Sequence, residues 1–190
     1  MEPNYKGLAN IGATCYMNSL LQTLFMTPDF RQAVYQWHYN DRIHPKPSDS
    51  ILYQLQRLFA KLEKGFPGSI DTRDLVKSFQ WEDEEAQMQQ DIQEFNRVLF
   101  EALEKSLISK KKYVEKEAET HFVRDLYEGE MIHFTHCKEC NNESQREEIF
   151  QDLLLTVKNP YERIYNNCVE LALQRYMKPE VLDENNLYFC

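Results

Sequence analysis

Between Ile92 and Leu107 the apolar side chains Ile92, Phe95, Val98, Leu99, Ala102, Leu103 and Leu107 recur every three or four residues. This spacing winds one apolar stripe along a single long helix. Such a helix holds in water only when its stripe lies against other apolar surface. The rest of the chain must therefore supply a core. Leu, Ile, Val and Phe make up about a quarter of the 190 residues, above the roughly 20% below which disorder is expected. The run Lys110-Lys111-Lys112 is expected to close the helix, since cations favour a helix C-terminus.

Further helices are expected upstream. Thr14 is the expected N-cap of a helix from Cys15 to about Met26, with Leu20, Leu21, Leu24 and Phe25 on one face. Thr27-Pro28 pairs a capping residue with proline at the first helical position, opening a second helix that carries Phe30, Val34, Tyr35 and Trp37. Residues 39–49 read as a loop. Ile51, Leu52, Leu55, Leu58, Phe59 and Leu62 mark a third helix ended by Gly65 and Pro67. A short helix using Leu75, Val76 and Phe79 should follow Asp71.

After Gly129 the texture changes. Ile132 and Phe134 alternate with polar neighbours, and Ile149–Val157 is rich in apolar and β-branched residues. Both read as strands, separated by a turn at 137–142. Asn159-Pro160 is expected to open a last helix through Tyr161, Ile164, Tyr165, Cys168, Ala172 and Leu173, with Cys168 in the core. Helices first and a mixed segment afterwards give an α+β class rather than a βαβ alternation.

Charge and composition narrow the functional classes. The formal charge is −9, from 31 acidic and 22 basic residues, which argues against a nucleic-acid-binding surface. No apolar run approaches the ~20 residues that span a bilayer, and the first six residues lack the apolar core of a secretory signal. An intracellular chain is expected, cytoplasmic or nuclear, with its five cysteines as thiols or metal ligands.

Cys15 begins a predicted helix, after Gly12-Ala13-Thr14. Backbone N–H groups and the helix dipole favour an anion there, and the thiolate is the nucleophilic form of cysteine. Gly12 allows close backbone approach. Asn10, in the same loop, carries an amide able to donate to the oxygen of an attacked carbonyl. A cysteine near a helix start is more often a small buried apolar residue, so the residues alone leave catalysis and packing both open. Cys137-Lys138-Glu139-Cys140 is a C-x-x-C knuckle. Its two thiolates can share one Zn²⁺ with a second knuckle. The flanking strands argue against a redox motif, which would sit at a helix start.

Gly7-Leu8-Ala9-Asn10-Ile11-Gly12-Ala13-Thr14-Cys15-Tyr16-Met17-Asn18-Ser19 resembles the cysteine box of the ubiquitin-specific proteases, G-L-x-N-x-G-x-T-C-Y-M-N-S. Gln89-Gln90-Asp91-Ile92-Gln93-Glu94-Phe95 is similar to a second motif of that family. The stretch from Glu180-Val181-Leu182-Asp183 to Asn186-Leu187-Tyr188-Phe189-Cys190 is similar to the approach to its second zinc knuckle. The resemblance covers essentially the whole chain and implies a papain-like fold. Residues 1–127 would form a helical thumb bearing the cysteine box, and 128–190 part of the β fingers, with most of the palm sheet missing. It implies a cysteine-type deubiquitinase that hydrolyses the isopeptide bond at the C-terminal glycine of ubiquitin through a thioester. Cys15 would be the nucleophile, Asn10 an oxyanion donor, and Gln89, Asp91 and Glu94 ubiquitin contacts. Asp91 and Glu94 also suit the start of a helix on electrostatic grounds alone. Cys137, Cys140 and Cys190 would bind a structural zinc, expected in the intact domain rather than in this chain alone.

The chain departs from the family pattern in three ways. Gln80 stands where a glycine is usual before Trp81, and Glu184 replaces another glycine. None of His38, His44, His121, His133 and His136 sits in the glycine-His-Tyr context of the family's base, so weak or absent turnover is expected of this chain alone. A non-catalytic ubiquitin-binding piece and a zinc-dependent interaction module are the rival expectations.

Overall fold

A computed structural model describes residues 6–41, 46–65, 68–80, 91–108, 121–158 and 165–183. The chain divides into two units, Met1–Leu126 and Tyr127–Cys190. Among the described residues there are seven α-helices and one two-stranded antiparallel hairpin, an α+β composition.

The first unit is helical. Helices α1 (Cys15–Met26) and α2 (Pro28–Gln36) meet at Thr27, and α3 (Ile51–Lys64) follows a short 3₁₀ turn at Pro47–Asp49. Helices α4 (Arg73–Ser78) and α5 (Ile92–Ile108) come next, and α6 (Phe122–Tyr127) ends the unit. Helix α3 packs against α2, α4 and α5, and α1 packs against α2 and α5. Gly65 ends α3 in the left-handed conformation, φ 65°, as the sequence suggests. Phe30 is fully buried and meets the rings of Phe59, Phe100 and Phe122 at 6.2, 6.3 and 5.5 Å.

Several expectations need adjustment. The buried stripe of α1 is Tyr16, Met17, Leu21 and Leu24, while Leu20 and Phe25 lie at its margin. Phe25 instead receives the Arg31 guanidinium over its ring at 5.1 Å. Neither Thr14 nor Thr27 caps its helix through the side chain. Thr27 Oγ1 donates back to Thr23 O at 3.0 Å. Ile92 is 44% exposed because it occupies the first position of α5, and the packed stripe begins at Phe95. Lys110–Lys112 lie outside the described residues.

The second unit is built on β1 (Gly129–His136) and β2 (Glu143–Phe150). Their register runs from His136↔Glu143 to Gly129↔Phe150. The strand expected at Ile149–Val157 is therefore misplaced. The turn fixes pairing at Glu143, and pairing stops at Phe150 because β1 begins at Gly129. Its apolar content had suggested a strand, but the stretch beyond Phe150 has no partner strand among the described residues. The Phe150 ring covers Gly129 so closely that a Cβ there would lie 2.6 Å from it.

The last helix, α7, spans Val169–Tyr176 rather than starting at Asn159-Pro160. Residues 159–164 lie outside the described set. Lys158 and Tyr165 form an antiparallel bridge, and Asn166 N–H donates to Val157 O at 2.8 Å. These bonds hold the approach to α7 extended. Cys168, expected in the core, is exposed and extended at φ −149° as the N-cap residue. No described helix is long and apolar enough to cross a membrane.

Gln80 adopts φ 55°, the left-handed region. A glycine escapes the Cβ clash there, although it loses more chain entropy on folding. Replacing Gln80 by Gly should therefore raise unfolding stability by about 0.5–1 kcal/mol. The check is the urea midpoint; an unchanged or lower midpoint would show that Gln80 carries no strain.

Candidate functional site

Cys15 is the first residue of α1, and its thiol is exposed. The loop before it is held from two directions. Ala9 N–H donates to Ile70 O at 2.8 Å and Ile70 N–H donates to Gly7 O at 2.9 Å, which makes a parallel bridge between Leu8 and Ile70. From α1, Asn18 Nδ2 donates to Ala9 O at 3.1 Å, and Gln22 Nε2 donates to Lys6 O at 2.8 Å. Gly12 sits at φ 138°, where side chains rarely go, although an added Cβ would meet nothing within 4 Å. Its backbone angle, not crowding, calls for glycine.

Within this loop Thr14 is buried and faces inward. Its N–H and its hydroxyl both reach Asn10 Oδ1, at 3.3 and 3.1 Å, and Ile11 N–H reaches Thr14 Oγ1 at 3.3 Å. The residue expected to cap the helix thus bonds to Asn10 instead. The first N–H groups of α1 keep their positive field at the Cys15 end without a cap from Thr14. Asn10 itself is exposed.

Tyr16 ties α1 to the long helix α5. Its ring meets that of the buried Phe95 edge-on, with centroids 5.6 Å apart. Burial raises the Tyr16 phenol above its ordinary pKa, and the neighbouring Cys15 raises it further. Four residues before Phe95, Asp91 Oδ1 accepts from the N–H groups of Gln93 and Glu94 at 2.7 and 3.4 Å. Asp91 is thus the N-terminal cap of α5. Glu94 is exposed in the first turn. Gln89 lies outside the described residues.

The C-x-x-C knuckle forms a closed turn. Cys137 N–H donates to Asn142 O and Asn141 N–H to Cys137 O, both at 2.9 Å, with Asn141 at φ 57°. Cys140 is exposed and Cys137 half-buried, and neither is in a disulfide. Two soft thiols in one such turn suit Zn²⁺. Cys190 lies outside the described residues, and no group of three metal-binding side chains occurs among them. Beside the turn, His136 Nδ1 lies 4.0 Å from Glu143, and His133 Nε2 lies 3.3 Å from Glu148, which Arg146 also contacts.

Asn18, Gln22 and Ile70 were not singled out from the sequence. Asn18 and Gln22 are polar residues four apart on α1, a spacing that aligns them on one face and marks them for a common task. Nothing local to Ile70 reveals its pairing with Leu8.

Comparison with known proteins places the chain in a family. The family model "Ubiquitin carboxyl-terminal hydrolase" matches residues 6–183. The chain is 42% identical over 186 residues to ubiquitin carboxyl-terminal hydrolase 47 of Drosophila melanogaster, covering 98% of this chain and 11% of that protein. It is 41% identical over 189 residues to the Homo sapiens hydrolase 47, covering 100% of this chain and 13% of that protein. With the Homo sapiens hydrolase 40 it shares 39% identity over 194 residues, 98% of this chain and 15% of that protein. The chain belongs to the ubiquitin carboxyl-terminal hydrolase family, whose members are cysteine proteases, and spans a small part of the length of these relatives.

The cap at Asp91 is testable apart from any ubiquitin contact. Asp91→Ala should lower stability by about 1 kcal/mol in urea unfolding, whereas Asp91→Asn, which keeps the accepting oxygen, should stay close to wild type.

Proposed function

We propose that this chain carries the nucleophile and oxyanion half of a thiol-dependent deubiquitinase. The observation that carries the reading is the exposed Cys15 thiol on the first turn of α1, in a loop anchored by Ile70, Asn18 and Gln22. The helical first unit would serve as the thumb of a papain-like protease and the β1–β2 hairpin as part of its fingers.

In this mechanism Cys15 Sγ attacks the carbonyl carbon of the C-terminal glycine of ubiquitin. The carbonyl π electrons move to oxygen, where the Asn10 amide and the Cys15 N–H stabilise the charge. Collapse breaks the C–N bond, the lysine amine leaves with a proton, and water hydrolyses the remaining thioester. A histidine in the glycine-His-Tyr context would supply the base, and none of this chain's five histidines sits there. Asp91 and Glu94, with Gln89, would face the arginine-bearing tail of ubiquitin, where acidic groups give charge complementarity. A second reading, in which this chain binds ubiquitin without cleaving it, draws on the exposed Asp91 and Glu94 at the start of α5.

Cys137, Cys140 and Cys190 would hold a structural zinc, which when bound ties the knuckles together and adds folding energy.

Ubiquitin carrying a C-terminal cysteine-reactive group distinguishes the readings. A single adduct by intact mass, lost in Cys15→Ala, is expected. Turnover of a ubiquitin C-terminal amide should lie ~10²–10⁴-fold below that of a family member that has its base. Ubiquitin binding with no adduct in folded protein would select the second reading. For zinc, elemental analysis of the intact domain should find one equivalent that Cys137→Ser removes; a metal-free intact domain that keeps its fold would exclude it.

A further inference from the structure

Asn10 can act as an oxyanion donor only if its NH₂ end, not its oxygen, faces the reacting carbonyl. A side-chain amide is nearly symmetric in shape, so something must choose the end. Asn10 is exposed, and solvent gives it no preferred orientation. The choice can be traced through three hydrogen bonds. Ile11 N–H lies 3.3 Å from Thr14 Oγ1 and, as a backbone amide, can only donate. That bond takes up an acceptor site of the hydroxyl. The hydroxyl proton is directed to the Asn10 amide at 3.1 Å. Thr14 N–H, which likewise can only donate, reaches the same amide atom at 3.3 Å. Two donors converge on one end of the amide, so that end must be oxygen, and the NH₂ end is turned away from Thr14.

We infer that Thr14 is the positioning residue of this site, fixing which end of the Asn10 amide is presented beside Cys15. The same bonds explain why Thr14 leaves its helix uncapped. Thr14 is buried in the loop, 3% exposed, where the bond to Asn10 competes with little water. A serine can make both hydroxyl bonds, and a valine of the same shape can make neither. Thr14 touches no substrate in this scheme and acts only through Asn10. The inference rests on the roles proposed above for Cys15 and Asn10.

The test compares two ubiquitin probes on the full chain. A C-terminal aldehyde forms a hemithioacetal: the Cys15 Sγ–C bond forms, the carbonyl π pair moves onto oxygen, and that oxygen then takes up the thiol proton. That oxygen needs the Asn10 donor. A C-terminal alkyne forms an alkenyl thioether in which carbon takes the proton and no oxyanion arises. Asn10→Ala should weaken aldehyde capture by about 10²-fold. Thr14→Val should weaken it about tenfold, roughly the effect of one ordinary hydrogen bond, while alkyne labelling stays within about twofold. Thr14→Ser should restore aldehyde capture. In the wild type, the Thr14 hydroxyl proton should be protected from exchange in NMR spectra, with a dipolar contact to the Asn10 side chain, a measurement that needs no variant.

Unchanged aldehyde capture in Thr14→Val overturns the inference, as does a rapidly exchanging Thr14 hydroxyl. Equal losses with both probes, alongside a lowered melting temperature, reduce Thr14 to a structural residue and overturn it too. In these cases alkyne labelling of the wild type leaves the role of Cys15 standing. Absence of a Cys15-dependent alkyne adduct in folded wild type removes the functional reading itself, and this inference with it.

Discussion

The first unit is organised around the ring of Phe30. It comes from α2 and touches rings from α3, α5 and α6, so one side chain fixes three helix interfaces. Edge-to-face and tilted aromatic contacts are directional, unlike aliphatic packing. They set helix rotation as well as distance, and the rotation of α5 determines where Phe95 points. Phe95 in turn meets Tyr16, the residue after Cys15. The site is therefore positioned from the core outward, through aromatic contacts, with Cys15 standing one residue beyond the last of them.

The loop before Cys15 is held differently. Its anchors are polar bonds from α1 and a backbone bridge to Ile70, and most of its own side chains are small or exposed. Rigid attachment at several points leaves the short stretch from Asn10 to Thr14 to be shaped by a few local bonds. Gly12 supplies a backbone angle that other residues avoid. Thr14 turns its hydroxyl inward instead of capping the helix. The inward turn of Thr14 leaves the start of α1 without a side-chain cap beside an exposed thiol, an arrangement suited to a charge that develops only during reaction.

Strong periodicity was legible in the sequence wherever one packed face dominates. The helix at 92–108, the helix ending at Gly65 and the turn carrying the C-x-x-C motif all lie where spacing and turn residues place them. The failures have a common cause. Ile149–Val157 looked like a strand because its residues favour strands, but pairing is decided by the partner, and β1 runs out at Gly129. The approach to α7 looked helical because its apolar residues recur suitably, yet its backbone is taken up by the bond to Val157 and the bridge to Lys158. Thr14 looked like a cap because capping depends on residue type, while its actual partner is a side chain four residues back. Cys15 and Asn10 stand out in the sequence because they belong to a contiguous motif. Ile70 was invisible, since a backbone bridge leaves no mark on residue identity.

That bridge has a consequence for the chain during synthesis. The loop that holds the thiol is made first, but it lacks its edge partner until Ile70 has emerged, and Tyr16 lacks its ring partner until Phe95 follows. Contacts so far apart in sequence form late, once intervening segments have been ordered. An emerging chain thus carries a cysteine whose surroundings are still unbuilt, and the reactive environment arrives only when the helices that support it have folded. Timing of this kind separates the appearance of the thiol from the completion of its surroundings.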